Sequence, residues 1–273
     1  MDDQSEIAKL VNGSGFPFQI AVADLVKRTK QHHDCRVLFT EHSWRTPGGD
    51  DSGFIDIVVA STTMPYVFVI ECKRHLDAAW VFLNQVDSSS ERRHAKLWVN
   101  EIDTAKGRLV RSEWTNAPLS PASLESAFCV VHRQDERNPM LERIASTLVR
   151  ATECLAREDD MRVLSTGLDA WFYASLIVTS ADLVIAEIDP QDISLETGTI
   201  PTDSDVRTRE VPFLRFRKQL SFLDPEGDRK IFQNNDYRLH YAKERTVFVV
   251  QAKYLSRFLS EFQVDLSWRS APR

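Results

Sequence analysis

Two short stretches of this 273-residue chain put charge where a strand should be apolar. Phe54-Ile55-Asp56-Ile57-Val58-Val59 holds a single carboxylate inside a run that is apolar on both faces. Val67-Phe68-Val69-Ile70-Glu71-Cys72-Lys73-Arg74 is apolar until it ends in charges. Burying an unpaired carboxylate is costly, so Asp56 demands a cation or strong donors beside it. Side chains alternate along a strand, so Glu71 and Lys73 share a face while Cys72 points away. Fourteen residues separate Asp56 from Glu71, and a tight link would set the two strands side by side with Asp56, Glu71 and Lys73 converging. Two carboxylates make a hard oxygen site suited to Mg²⁺ or Mn²⁺. Such an ion supplies an activated water and a contact for a phosphate oxygen. The neighbouring ammonium can orient that water or stabilise charge developing on phosphorus oxygens. A plainer account of the same residues is a buried Asp56–Lys73 ion pair, with Glu71 at a solvated strand end.

The elements that would position these residues follow from periodicity and punctuation. Phe18, Val22, Leu25 and Val26 recur at helical spacing and predict a helix over 17–31, entered through Gly13-Ser14-Gly15. A strand is expected over 36–43, a turn over 46–53, and strands over 54–61 and 66–73 joined by Thr62-Thr63-Met64-Pro65. Residues 78–99 read as mostly helical, 126–132 as a strand and 139–157 as a long amphipathic helix. Beyond these, 174–179 and 183–188 read as a hairpin, 189–204 as a polar loop, 211–217 and 246–251 as strands, and 254–262 as a closing helix. Alternation of strands and helices gives an α/β or α+β class around a mixed sheet. A domain boundary is expected near 158–166, at the Glu158-Asp159-Asp160 charge run, dividing a core over 1–157 from an extension over 158–273 that is either separate or continuous with it.

The Asp56, Glu71 and Lys73 set resembles the motif of the PD-(D/E)XK, or restriction-endonuclease-like, nuclease superfamily: an Asp in the second core strand, then Glu or Asp, any residue, and Lys at the end of the third. The resemblance spans roughly residues 13–133. It implies a mixed central sheet flanked by helices, followed here by a strand-rich C-terminal extension. It also implies metal-dependent hydrolysis of DNA, with Asp56 and Glu71 as metal ligands and Lys73 as the group that positions water and phosphate. Gln19, in the helix before the first strand, matches the acidic or amide residue such families carry there. Gln85 matches a Gln often found in the helix after the Lys strand. Ile55 stands where many members have Pro, and the first helix offers Gln19 rather than Glu. The setting implied is DNA restriction, repair or defence against foreign DNA. The partners implied are DNA, a second copy of the chain and an activating protein.

Charge and composition bound these readings. Hydrophobic residues make up 42% and charged residues 27%, enough for a real core. The net charge of −6 argues against blanket attraction to nucleic acid. Residues 201–273 hold 14 basic and 10 acidic side chains, however, so the positive charge is local. One basic stretch comprises Arg92, Arg93, Lys96, Lys106, Arg108 and Arg111, and a second comprises Arg207, Arg209, Arg215, Arg217 and Lys218. In Phe213-Leu214-Arg215-Phe216-Arg217-Lys218 alternation puts Arg215 and Arg217 on one face with Phe213. That face, with Lys218, is a candidate for contacts to a nucleic-acid backbone, or equally an amphipathic edge strand. Glu41 is a candidate extra carboxylate and His75 a candidate phosphate contact, each with an ordinary surface role as the alternative. Cys35, Cys72, Cys129 and Cys154 form no CxxC knuckle and read as reduced thiols. No basic-then-apolar leader and no spanning apolar stretch stands out, so a soluble cytoplasmic protein without membrane contact is expected. The chain has no Walker-type loop, nucleophile elbow or Rossmann fingerprint. Two functional classes remain open: a Mg²⁺-dependent nuclease, or a lapsed nuclease scaffold that binds DNA or assembles with other subunits.

Overall fold

The computed structural model describes residues 3–75, 78–86, 91–131, 140–159, 168–202, 204, 206–220 and 243–266. Most of the 158–166 stretch proposed as a boundary lies outside these residues, as do 87–90 within the expected 78–99 helix and His132 at the end of an expected strand.

Three helices, α1 (Asp3–Gly13), α2 (Phe16–Arg28) and α3 (Lys30–His33), precede a meander of β1 (Cys35–Arg45), β2 (Ser52–Ser61) and β3 (Tyr66–Lys73). The strands β4 (Ala79–Gln85), β5 (Arg92–Asp103), β6 (Arg108–Ser123), β7 (Glu125–Ser126) and β8 (Phe128–Val131) follow, and then the 19-residue helix α4 (Met140–Glu158). The chain continues through β9 (Ala170–Thr179), β10 (Asp182–Ile188), β11 (Arg207–Glu210), β12 (Phe213–Gln219), β13 (Glu244–Gln251), α5 (Leu255–Glu261) and β14 (Gln263–Val264).

A ten-stranded sheet runs β1-β2-β3-β9-β13-β12-β7, with β5, β6 and β14 joined off that path, and a four-stranded sheet runs β11-β10-β4-β8. β1, β2 and β3 pair antiparallel, whereas β3, β9 and β13 are mutually parallel. All positions of β9 are buried, as expected of a central parallel strand covered on both faces. One face packs Val58, Val67, Val69 and Ile177 against Leu148 and Leu155 of α4 and against Trp80, Phe82 and Ile185 of the smaller sheet. The other packs Val59, Phe68, Ile70 and Leu176 against Val22 and Val26 of α2 and Phe258 of α5. The α/β character expected from sequence is present. β9 and β13 lie in the same sheet as β1–β3, so residues on both sides of position 158 share it.

Two expectations are corrected. Residues 79–85 and 92–99 are strands, not helix. Trp80, Phe82 and Asn84 turn inward at every second position, as do Ala95, Leu97 and Val99, which is the period of a strand rather than of a helix. Residues 174–179 and 183–188 are strands but do not pair with one another: β9 belongs to the large sheet and β10 to the small one, beside β4 and β11. The link at Ser180 and Ala181 turns the chain from one layer into the other. All four cysteines are free thiols. Among the described residues no helix is long and apolar enough to cross a membrane.

Candidate active site

β2 and β3 pair in register from Ala60↔Val67 to Ile57↔Ile70. One step further that register puts Asp56 across from Glu71, on the same sheet face. The ladder is replaced there by a side-chain contact: Asp56 Oδ2 accepts the Cys72 backbone N–H at 2.6 Å. Lys73, two residues beyond Glu71, sets its Nζ 2.6 Å from Glu71 Oε1. The three residues proposed from spacing therefore stand together, at the carboxyl end of β3. In open sheets of parallel strands that end is where ligand crevices form.

α2 and β1 complete the cluster. Gln19 is 8% exposed despite its polarity. Its Nε2 donates to Glu41 Oε1 at 2.5 Å and to the Asp56 backbone carbonyl at 2.9 Å. Glu41 stands across from Asp56, between the pairings Thr40↔Ile57 and His42↔Ile55. Its φ of 54° is unusual for a residue with a side chain. Such backbone persists only where the surroundings over-determine it, and the Gln19 amide supplies one such constraint.

Burial, reinforced by the Glu71 charge and more weakly by Glu41, pushes the Asp56 carboxyl up from 3.8 to about 6 against the opposing pull of the Cys72 N–H and Lys73. Burial also raises the Cys72 thiol well above its ordinary value, which makes a thiolate ligand or nucleophile there unfavourable. Burial and then Lys73 lower the His75 pKa; its backbone N–H goes to Ser180 Oγ and its ring lies edge-on to Trp80.

Among the described residues no three His, Cys, Asp or Glu side chains already form a metal cage. The donor set is nevertheless the kind Mg²⁺ takes: carboxylate oxygens, in anionic excess over one lysine, with the ion's remaining positions left to water. The specific observation is geometric: Asp56 stands across from Glu71 with one lysine beside the pair, itself held by Glu71, and the upward shift of the Asp56 carboxyl by burial and by Glu71 agrees with that shortage of positive charge. Asp56 and Glu71 would hold such an ion.

Other proposed residues fall elsewhere. Gln85 ends β4, whose start lies next to the site, since Ala79 pairs with Asp182 and Asp182 reaches Gln251 at the end of β13. Six residues of strand put Gln85 roughly 20 Å from that end. It is therefore not part of the constellation, and the reason is that its segment is a strand. Arg215 is fully buried, donating to Ser123 Oγ at 2.5 Å and the Pro121 carbonyl at 2.9 Å. Arg217 is paired with Glu244 at 2.8 Å and Lys218 with Glu142 at 2.8 Å. β12 lies between β13 and β7 rather than at an open edge, so Arg215 points into the protein, and Arg217 and Lys218 are held in ion pairs rather than presented along a phosphate track.

Sequence reasoning missed Thr179 and Gln251. Lys73 pairs with Thr179 and Thr179 with Gln251, so the three form one row at the carboxyl ends of the parallel strands. Each closes an apolar run, as Glu71 does, and that shared pattern was the available signal. Comparison with known proteins gives no family model, no curated protein and no solved structure that matches the chain.

Proposed function

We propose that the protein is a divalent-metal-dependent nuclease that hydrolyses DNA phosphodiester bonds. The observation that carries this reading is the Asp56–Glu71 carboxylate pair set side by side on β2 and β3, with Lys73 2.6 Å from Glu71. A bound Mg²⁺ or Mn²⁺ would supply a water of lowered pKa and a Lewis acid for the phosphoryl oxygen. Asp56 and Glu71 would hold the ion. The Cys72 N–H fixes the Asp56 carboxylate, so one oxygen is oriented while the other stays available. Lys73 leaves Glu71 to meet the scissile phosphate, stabilising charge as water adds to phosphorus and the ester oxygen departs with a proton. Gln19 positions Asp56 through its backbone and Glu41 through its side chain. Roles in DNA restriction, repair or defence, and action as a homodimer or with an activating partner, belong to this proposal through the motif's resemblance alone.

The test is the purified chain incubated with Mg²⁺ or Mn²⁺ on linear, circular and single-stranded DNA, beside the Asp56→Asn and Lys73→Ala variants. Metal-dependent cleavage by the wild type and its loss in both variants is the expected result. DNA binding without cleavage under any of these conditions would favour a scaffold that has lost catalysis.

A further inference from the structure

A cavity of about 500 Å³ opens at the end of β4 remote from Asp56. Leu83, Ile188 and Phe128 contribute apolar walls, and Asn84, Glu125 and Arg92 bring polar groups to the same space. Its size is in the ordinary range of small-ligand pockets.

Two residues of its lining each carry a buried side-chain atom with no hydrogen-bond partner among the described residues, Asn84 at Nδ2 and Glu125 at Oε2. Asn84 is 8% exposed, and such a donor left unpaired costs on the order of 1–3 kcal/mol. Asn84 is paired with Glu187 across β4 and β10, and Glu125 with Arg215 across the two-residue β7 and β12. Ser126 Oγ donates to the Leu83 and Phe128 carbonyls at 2.8 and 3.0 Å, tying the chain at Glu125 to the chain at Asn84. Arg217 Nη1 lies 3.6 Å from Glu125 Oε2, an ion-pair contact too long for a hydrogen bond. Arg217 meanwhile spends Nε and Nη2 on Glu244. Glu125 Oε2 therefore has an ion-pair neighbour but accepts no hydrogen bond, Asn84 Nδ2 donates none among the described residues, and Arg92 stands exposed at the start of β5.

We infer that this cavity binds a nucleotide, with the base inside and the phosphate toward Arg92. A flat heterocycle suits the apolar walls. A carboxylate beside an amide donor reads a base edge that carries N–H groups next to a carbonyl. Guanine is the fullest match: its N1–H and exocyclic amine face Glu125, and its O6 accepts from Asn84. An exposed guanidinium suits a phosphate. The same chemistry arises from a free nucleotide or from an unstacked base of a DNA strand.

The test is calorimetric titration of the full chain in EDTA, which removes any metal-dependent binding at Asp56 and Glu71 and so separates this inference from the nuclease reading. The probes are GMP, AMP, guanosine, inorganic phosphate and a short single-stranded oligonucleotide containing guanine. GMP should bind more tightly than AMP, guanosine or phosphate. Asn84→Leu should weaken GMP by about tenfold or more, the scale of one hydrogen bond in a dry site. Glu125→Gln should erase the preference for GMP over AMP, and Arg92→Ala should close the gap between GMP and guanosine. Competition by the oligonucleotide assigns the base to a strand; its failure to compete assigns a free nucleotide. Should the buried variants not fold, Arg92→Ala and the GMP-over-AMP preference decide. No binding of any nucleotide at millimolar concentration overturns the inference. Phosphate binding as tightly as GMP, or GMP binding unchanged in folded variants, does so as well.

Discussion

At Asp56 the fold holds a carboxylate under desolvation and beside Glu71, so its charge opposes folding unless a cation arrives. The sign of the pH effect follows from the shift from 3.8 to about 6. Between those values the folded state keeps a proton that the unfolded chain has released. Metal-free stability should therefore fall as pH rises through that window, by on the order of 3 kcal/mol, and stay reduced above it. Asp56→Asn keeps the volume and an acceptor for the Cys72 N–H while removing the charge. In EDTA at neutral pH its melting temperature should equal or exceed that of the wild type, and below pH ~4 the difference should vanish. A structural Asp56–Lys73 pair predicts the reverse, a loss of roughly 3–5 kcal/mol, and the Lys73 contact to Glu71 already argues against it. Mg²⁺ should raise the melting temperature of the wild type and leave Asp56→Asn unmoved. Lys73→Ala separates binding from chemistry: cleavage should fall by ~10²-fold or more, while the Mg²⁺-induced stabilisation persists because the ammonium is not a ligand. Loss of that stabilisation in Lys73→Ala would instead make Lys73 part of the site's framework.

Elements differ in how openly the sequence declares them. β2 and β3 are dominated by β-branched and aromatic residues, broken in β2 by Asp56 and ended in β3 by Glu71, so both their existence and the Asp56–Glu71 juxtaposition were legible. α2 was legible from its apolar spacing, and with it the placement of Gln19. β4 and β5 were not, because Ala, Leu, Gln and Lys carry helical propensity that tertiary pairing overrides. The inward alternation of Trp80, Phe82 and Asn84 was the stronger signal, and with it the removal of Gln85 from the site. β10 was legible as a strand, but its partner β4 lies about 100 residues earlier, beyond any local rule. β12 gives the clearest contrast between pattern and environment, because Arg215 looks like a surface cation and is buried. Burial holds its guanidinium down at about 10, and its ring contact with Phe248 and bonds to Ser123 and Pro121 compensate only in part, since Nε has no partner among the described residues. Arg215→Ala should cost about 2–4 kcal/mol by leaving a cavity and two orphaned acceptors. Arg215→Met, which fills most of the space without the charge, should cost clearly less in chemical denaturation. Equal losses would show that the guanidinium's hydrogen bonds, not its volume, hold β12 in place.

For the whole molecule, a net charge of −6 means that DNA is repelled at long range and must be held by a local surface. Burial and ion pairing withdraw Arg215, Arg217 and Lys218 from that role. Of the second basic stretch this leaves Arg207 and Arg209, on the fully exposed β11 at the edge of the four-stranded sheet. Each phosphate contact contributes about 0.9 to the slope of log affinity against log salt on duplex DNA. In a Lys73→Ala background with Mg²⁺, which suppresses cleavage, affinity measured between roughly 50 and 200 mM salt gives that slope directly. Arg207→Ala with Arg209→Ala should flatten it by up to ~2 while leaving the melting temperature unchanged, because exposed cations contribute little to stability. Arg217→Ala should do the opposite, lowering the melting temperature by stranding Glu244 and Glu125 and leaving the slope alone. If the β11 pair leaves the slope unaltered, DNA is held elsewhere, and the first basic stretch, from Arg92 to Arg111, becomes the surface to dissect.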